Sequence, residues 1–163
     1  MPNRPRGRSE NGAEAVFLTE ARELVSLVEG SAGFPEEARG ADAERLLIRL
    51  QSILCRLHWA FLHLPEAREV AHCPPSESHL ADSSSVYEAW KTLGPRLADA
   101  LAGVYRDLID GLELYRRGTE DDRQAALWAW QSLYWQHWGD ELLKAQAAAY
   151  RRLARERFDR ELS

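Results

Sequence analysis

Apolar side chains recur at the 3.6-residue period of an α-helix in every long segment of the chain, and no segment alternates like a β-strand. The clearest case is segment 42–62, whose main stripe consists of Leu46, Leu50, Ile53, Leu57 and Phe61. Such a stripe contributes to stability only when it packs against other helices. The chain is therefore predicted to be an all-α, antiparallel helical bundle.

Cap and breaker residues divide this bundle into four or five helices. The predicted helices are 13–29, 42–62, a short helix from Ser85, a helix from Pro95 to Arg116, and a last helix from Thr119 to about Phe158. Gly94 before Pro95 interrupts one helix, Gly118 suits a C-cap, and Thr119 suits an N-cap. We predict one domain at 13–160 after a disordered tail at 1–12.

The connection between the second and third predicted helices is long, polar and contains proline, and it spans about residues 63–82. A loop of this length is uncommon inside a compact domain and is usually functional or mobile. Ser85 and Glu88 then have the spacing of a capping box, in which each side chain bonds the other residue's main-chain N–H. The third helix is therefore predicted to start at Ser85.

The last predicted helix carries four of the chain's six Trp residues within positions 128–141. At 100° per residue, one stripe contains Tyr134, Trp138 and Leu142 and continues through Gly139. We predict one long helix at the centre of the bundle, with a local weakness or a close approach at Gly139. The flanks of the stripe are predicted to hold Trp128 and Trp135 on one side, and Trp130, His137, Glu141 and Lys144 on the other.

His137 has two interpretations, because a neutral imidazole acts as a base or ligand but is also a common hydrogen-bonded core residue. Asp107, on the preceding helix, is predicted to face it, and this contact is first interpreted as a structural one that fixes the register of the two helices. The alternative is a ligand or enzyme pocket. Its candidate residues are Tyr105, Asp107, Trp130, His137 and Glu141.

Two neighbouring residues receive structural interpretations. Arg106 is predicted to lie opposite the buried stripe of its helix, in a solvated ion pair with Asp110 four residues on. Trp138 is predicted to be a core residue, because its stripe is wide and apolar.

The sequence contains no complete metal or catalytic motif. His63, His72, Cys73 and His79 are zinc-binding residue types, but they do not form two closely spaced pairs. Carboxylate-bridged centres in helical bundles need two Glu-x-x-His motifs, whereas this chain has one, at Glu69. Phosphate-binding and nucleophile-elbow glycine motifs are also absent. We therefore predict no metal, no cofactor and no catalytic residue; enzymatic activity stays open, and a non-enzyme is favoured.

Charge and hydropathy restrict the partners. The formal net charge of -5 argues against a protein that coats nucleic acid, which needs many basic contacts to phosphate. No apolar run is long enough for a membrane span, and no apolar segment follows the first residues as in a secretory signal. Two cysteines do not make a disulfide framework. These features predict a cytoplasmic protein.

Three stretches carry a family resemblance. They are LPE after the second predicted helix, VYRDLIDGLELY from Val104 to Tyr115, and WQHWGDELLKAQ from Trp135 to Gln146. Together they resemble an uncharacterised, all-helical bacterial family, the domain of unknown function numbered 5063, over about residues 42–150. The resemblance implies a helical bundle without a known activity. It singles out Tyr105, Arg106, Asp107, Leu108, His137, Trp138 and Gly139.

These observations predict a protein-interaction or adaptor module that binds an unidentified protein partner and is itself a monomer or a weak dimer. The missing catalytic set, the acidic net charge and the long loop favour this function. A small-ligand-binding protein or an enzyme that uses the pocket around His137 is the alternative.

Overall fold

A computed structural model describes residues 10–30, 40–69 and 80–162 of the chain. The described residues form helices and connections only, which confirms the predicted all-α fold. The helices are α1 Glu10–Gly30, α2 Ala41–Leu62, α3 Leu80–Trp90, α4 Pro95–Arg116, α5 Glu120–Leu133 and α6 Gly139–Glu161, and a π-helical turn at Tyr134–Trp138 joins α5 to α6.

Helix α4 organises the packing, because it lies against α1, α3, α5 and α6, while α2 packs between α1 and α6. The predicted stripe of α2 is buried along its whole length, from Leu46 to Phe61. The predicted long C-terminal helix is confirmed as a continuous helical run of 42 residues from α5 through α6. None of the described helices is both long and apolar enough to cross a membrane.

Two predicted helix starts are wrong. Helix α1 starts at Glu10, inside the segment predicted as a disordered tail, and residues 1–9 lie outside the described part of the chain. Helix α3 starts at Leu80, so Ser85 and Glu88 lie within it and form no capping box. Packing of Val86 and Trp90 in the core stabilises this helix, and tertiary burial outweighs the local cap signal.

The connection after α2 is described only as far as residue 69, and residues 70–79 of the predicted loop lie outside the described part. Its described portion is held against α5 by two glutamines. The Gln131 amide accepts from the Ala67 N–H at 3.0 Å and donates to the Pro65 carbonyl at 2.7 Å. The Gln124 amide oxygen accepts from the Arg68 N–H at 3.1 Å. These bonds replace the main-chain partners that a loop lacks.

The π-helical turn explains how the aromatic stripe stays buried. Trp130, Tyr134, Trp138 and Leu142 follow one another at intervals of four residues, and all four are buried. In a regular α-helix three such steps rotate the stripe by about 120°, because four residues exceed one turn by about 40°. The wider π turn absorbs most of this rotation. Trp130 is therefore fully buried in the core and not on the flank where the regular period places it.

Gly139 is the residue that permits the π turn. Its N–H bonds the Tyr134 carbonyl, five residues earlier. A Cβ atom at Gly139 would lie 2.6 Å from that carbonyl oxygen and 2.9 Å from Cε2 of the Tyr134 ring. The close approach predicted at Gly139 is thus confirmed.

The turn between α4 and α5 also agrees with the sequence prediction. Gly118 has a φ of 85°, in the left-handed region that glycine adopts without strain. The Thr119 hydroxyl oxygen accepts from the Asp122 N–H at 3.0 Å, which is the side-chain cap expected at the start of α5.

Candidate functional site

The predicted contact between α4 and the π turn is present. His137 Nδ1 lies 2.5 Å from Asp107 Oδ2. Asp107 is buried, whereas the His137 side chain is 38% exposed. The pair therefore joins a buried carboxylate to an imidazole at the protein surface.

The contacts of both ring nitrogens define the orientation of the imidazole. A carboxylate only accepts, so His137 Nδ1 carries the proton that it donates to Asp107. In a neutral imidazole with this tautomer Nε2 is an acceptor, and Arg106 Nη2 lies 3.3 Å from it. Arg106 Nε lies 3.6 Å from Asp107 Oδ1. The three side chains form one polar cluster, which we call the Asp–His–Arg cluster.

Arg106 was predicted to pair with Asp110, whereas the structure gives its guanidinium contacts with His137 and Asp107. The Arg106 side chain is 37% exposed, and its guanidinium lies at His137 and Asp107. The angular position of a residue on a helical wheel does not show how far a flexible side chain reaches.

A groove of about 440 Å³ lies beside the Asp–His–Arg cluster, between α3, α4 and α6. Its lining includes Ser83, Tyr87, Asp99, Arg106, His137 and Glu141. Gly103 makes room for Glu141, since a Cβ atom there would lie 3.0 Å from Glu141 Cγ. Lys144 Nζ lies 3.0 Å from Glu141 Oε1 and 2.7 Å from Asp140 Oδ2, and these hydrogen bonds raise the pKa of Lys144.

Of the five predicted pocket residues, only His137 and Glu141 line this groove. Tyr105, Asp107 and Trp130 do not line it. The Tyr105 hydroxyl donates to Glu29 Oε1 on α1 at 2.9 Å, and burial together with this bond raises the tyrosine pKa. The Trp130 indole lies in the core and donates to the Leu108 carbonyl at 3.4 Å. From the predicted set, His137 contacts Asp107 and shares the groove with Glu141.

Trp138 belongs to the core, as predicted. It is fully buried, and its indole Nε1 donates to the Trp130 carbonyl at 2.8 Å. This bond spans the π turn and pairs the only polar atom of a large buried side chain.

A second surface feature consists of Trp59, Leu62 and Trp135, which we call the tryptophan surface. Their exposed fractions are 54%, 57% and 80%. Trp59 and Leu62 lie near the end of α2 and Trp135 lies in the π turn, two elements that are in contact through His58, Phe61 and Tyr134. The sequence placed Trp135 beside the buried stripe, but the π turn directs its side chain outward.

The base of the tryptophan surface is rigid. His58 Nε2 and the Tyr134 hydroxyl are 2.7 Å apart, and burial lowers the pKa of His58 and raises that of Tyr134, which favours the neutral form of both groups. The Tyr134 ring stacks on Phe61 with centroids 4.1 Å apart, and Trp135 packs edge-on against Tyr134 at 5.0 Å. Helix α2 and the π turn are thereby joined beneath the exposed side chains.

The part of the chain that the structure describes holds no group of three or more His, Cys, Asp or Glu side chains arranged for a metal ion. Of the zinc-type residues considered from the sequence, His63 stacks on Trp59 with ring centroids 4.5 Å apart. His72, Cys73 and His79 lie outside the described residues.

A double-mutant cycle tests whether the Asp107–His137 contact is structural. We expect His137→Ala and Asp107→Ala each to lower the free energy of unfolding by roughly 1–3 kcal/mol, because each leaves a polar partner unpaired. The double variant should lose less than the sum of the two. Urea unfolding measures these values, and Lys91→Ala, which removes an exposed ion pair with Glu88, serves as a control that changes little. An unchanged or raised stability of His137→Ala contradicts a structural role and favours a ligand site.

Comparisons with known proteins agree with this architecture. Residues 79–154 match the sequence profile of a family described as a domain of unknown function, DUF5063. The match confirms the family resemblance drawn from the motifs but is shorter, since α1, α2 and the LPE stretch lie outside it. All groove-lining residues named above lie within it.

No curated protein matches the chain. A crystal structure of protein BF1032 from Bacteroides fragilis is similar, with a TM-score of 0.72 at 16% sequence identity, over 85% of this chain and 90% of that chain. A likeness at this identity shows a shared fold.

Proposed function

We propose that this chain, whose segment 79–154 resembles DUF5063, is a protein-interaction module that binds an apolar element of a partner protein through the tryptophan surface. The observation that carries the proposal is Trp135, the most exposed large apolar side chain in the described part, at 80%. The matching family is described without an activity, so the proposal rests on the surface of this chain.

The composition of the tryptophan surface favours binding. Tryptophan is the residue type most enriched among those that dominate binding energy at protein interfaces. Scattered exposed apolar residues are ordinary, but Trp59, Leu62 and Trp135 belong to two elements that contact each other through His58 and Tyr134. Grouped exposed apolar residues are typical of interaction sites.

Rigidity of the supporting residues also favours binding. The hydrogen bond and the ring contacts of Tyr134 hold the π turn against α2, and Gln131 holds the connection after α2 against α5. A surface that is already ordered loses little conformational entropy when a partner binds.

The negative net charge of the chain favours a positively charged partner. A net charge of -5 accelerates association with a positively charged protein and slows it with an acidic one. The proposed partner therefore presents an apolar side chain or helix face for Trp135 and is basic around it.

Replacement of Trp135 by alanine separates binding from folding. Because Trp135 is 80% exposed, we expect Trp135→Ala to change the free energy of unfolding by less than about 0.5 kcal/mol. We expect the same variant to weaken partner binding by a factor of ten or more, equal to about 1.4 kcal/mol. The control is Phe158→Ala, which removes a 62% exposed aromatic residue from α6.

The measurement has two stages. In the first stage, the wild type, Trp135→Ala and Phe158→Ala are each used for affinity capture from the source cell. Proteins that the wild type and Phe158→Ala capture but Trp135→Ala does not are candidate partners. In the second stage, a purified candidate is titrated with each of the three proteins to measure its dissociation constant. Equal affinity of the wild type and Trp135→Ala refutes the proposal. Sedimentation analysis of the same proteins tests the predicted monomer or weak dimer and shows whether a second copy occupies the surface.

A small-ligand or catalytic site in the groove is the second candidate function. The observation that favours it is the Asp–His–Arg cluster, in which a buried carboxylate orients a half-exposed imidazole, as a general base requires. A screen by thermal shift tests it. A compound that stabilises the wild type but not His137→Gln supports this candidate, and a screen without such a compound counts against it.

The same proposal places the protein in the bacterial cytoplasm, without nucleic acid or membrane as partner and without metal or cofactor. The acidic net charge and the presence of only two cysteines support it.

A further inference from the structure

A second cavity, which shares no residue with the groove beside His137 or with the tryptophan surface, has a strongly basic lining. It measures about 310 Å³ and lies between the α3–α4 connection and α6. Four of its lining residues are Arg96, Arg151, Arg152 and Arg155, and none is a carboxylate. In a chain with a net charge of -5, this cavity concentrates positive charge.

The arginines of this cavity differ in their partners from other arginines of the protein. Arg49, Arg56 and Arg157 each pair with a carboxylate on a neighbouring helix. Within the described residues, no carboxylate oxygen lies within ion-pair distance of Arg96, Arg151 or Arg155. Arg155 Nε reaches only the Arg151 carbonyl, at 3.4 Å.

Arg152 provides a second, independent observation. Its Nη2 pairs with Glu156 Oε1 at 2.5 Å, but its Nε is buried and has no hydrogen-bond partner among the described residues. A buried N–H without a partner destabilises the fold unless another group satisfies it. An anion in the adjoining cavity is a suitable acceptor.

Adjacent guanidinium groups repel one another, and a bound anion removes this repulsion. Guanidinium is planar and donates two parallel hydrogen bonds to phosphate or carboxylate oxygens. A phosphomonoester carries about -1.5 to -2 charges at neutral pH, whereas a carboxylate carries one. Several arginines around one small cavity therefore match phosphate better than carboxylate.

The size and the apolar part of the lining indicate the kind of phosphate compound. Leu93 and Leu97 line the same cavity and are almost fully buried. A volume of about 310 Å³ is at the lower end for small-molecule pockets, roughly 300–1,000 Å³, and is too small for a macromolecule. We propose that this cavity binds a small phosphate-bearing molecule, with the phosphate between Arg96, Arg151 and Arg152 and any apolar portion against the two leucines.

Isothermal titration of the full chain in a phosphate-free, low-salt buffer tests this proposal. The probes are inorganic phosphate, phenyl phosphate and benzoate. We expect saturable binding of both phosphates and at least tenfold weaker binding of benzoate. Tighter binding of phenyl phosphate identifies an organic phosphate as the ligand class, and tighter binding of inorganic phosphate identifies the free anion.

Two cavity variants and one matched control complete the experiment. Arg96→Gln and Arg151→Gln should each weaken phosphate binding at least tenfold, while Arg45→Gln, an exposed arginine on α2, leaves it unchanged. Without ligand, both cavity variants should melt at the wild-type temperature or higher, because each removes a repelling charge. Absence of saturable phosphate binding, or equal binding by Arg151→Gln and the wild type, overturns the proposal.

Discussion

Trp138→Ala is expected to lower the free energy of unfolding by roughly 3–5 kcal/mol, a large part of the 5–15 kcal/mol typical of a domain. The side chain is fully buried and packs against Phe61 and Tyr134, with ring centroids 4.8 and 5.0 Å away. Its removal leaves a cavity in the core and also deletes the hydrogen bond to the Trp130 carbonyl. The variant should be unfolded or close to unfolding at physiological temperature.

The chain offers a matched control for this prediction. Trp135 lies in the same π turn, three residues earlier, but is 80% exposed, so Trp135→Ala should be almost neutral. Thermal and urea unfolding of the two variants measure the difference. Similar losses for both would contradict the assignment of Trp138 to the core and Trp135 to the surface.

Gly111→Ala is expected to lower stability by about 3 kcal/mol or more, the upper end for overpacked cores. A Cβ atom at Gly111 would lie 2.1 Å from Trp130 Nε1, which no contact of ordinary geometry allows. Trp130 cannot withdraw, because it is fully buried and its ring packs edge-on against Phe17 with centroids 4.8 Å apart. The methyl group must therefore displace either the indole or helix α4.

The sign of this change in stability shows whether the close contact exists, because replacing glycine by alanine in a helix without such a contact raises stability by about 1 kcal/mol. Gly12→Ala is the control, since a Cβ atom there meets no other atom within 4 Å. A second variant, Gly111→Ala with Trp130→Phe, removes the clashing indole atoms and should recover part of the loss. A Gly111→Ala protein as stable as the wild type would contradict the close packing of α4 on Trp130.

Local features of the sequence predicted much of the fold. The stripe of α2 and the cap at Thr119 follow from spacing and side-chain chemistry that act within a few residues. The Asp107–His137 contact was also predicted, because two adjacent antiparallel helices bring the flanks of their stripes together. The close approach at Gly139 followed from a stripe that continued through a glycine.

The places of Trp130 and Trp135 were not predicted, although the sequence holds a signal for them. The signal is a spacing of four residues that occurs three times in succession, at Trp130, Tyr134, Trp138 and Leu142. A helix keeps all four side chains on one buried face only if one of its turns is widened. A constant rotation of 100° per residue, applied to the whole of the last predicted helix, does not reveal this signal. Trp135, the most exposed residue of the tryptophan surface, lies in the same turn.

The set of helices, most of their ends and the faces that they bury follow from the amino-acid pattern alone, because these depend on periodicity and on caps within one helical turn. Which residues share a site depends instead on how the helices pack. Packing against α4 stabilised α3 from Leu80, five residues before its apparent cap, and the guanidinium of Arg106 lies at His137 rather than at Asp110. The basic cavity joins Arg96 to Arg151, 55 positions apart in the chain, through the packing of α4 on α6. Such proximity depends on how whole helices pack, which no local spacing encodes.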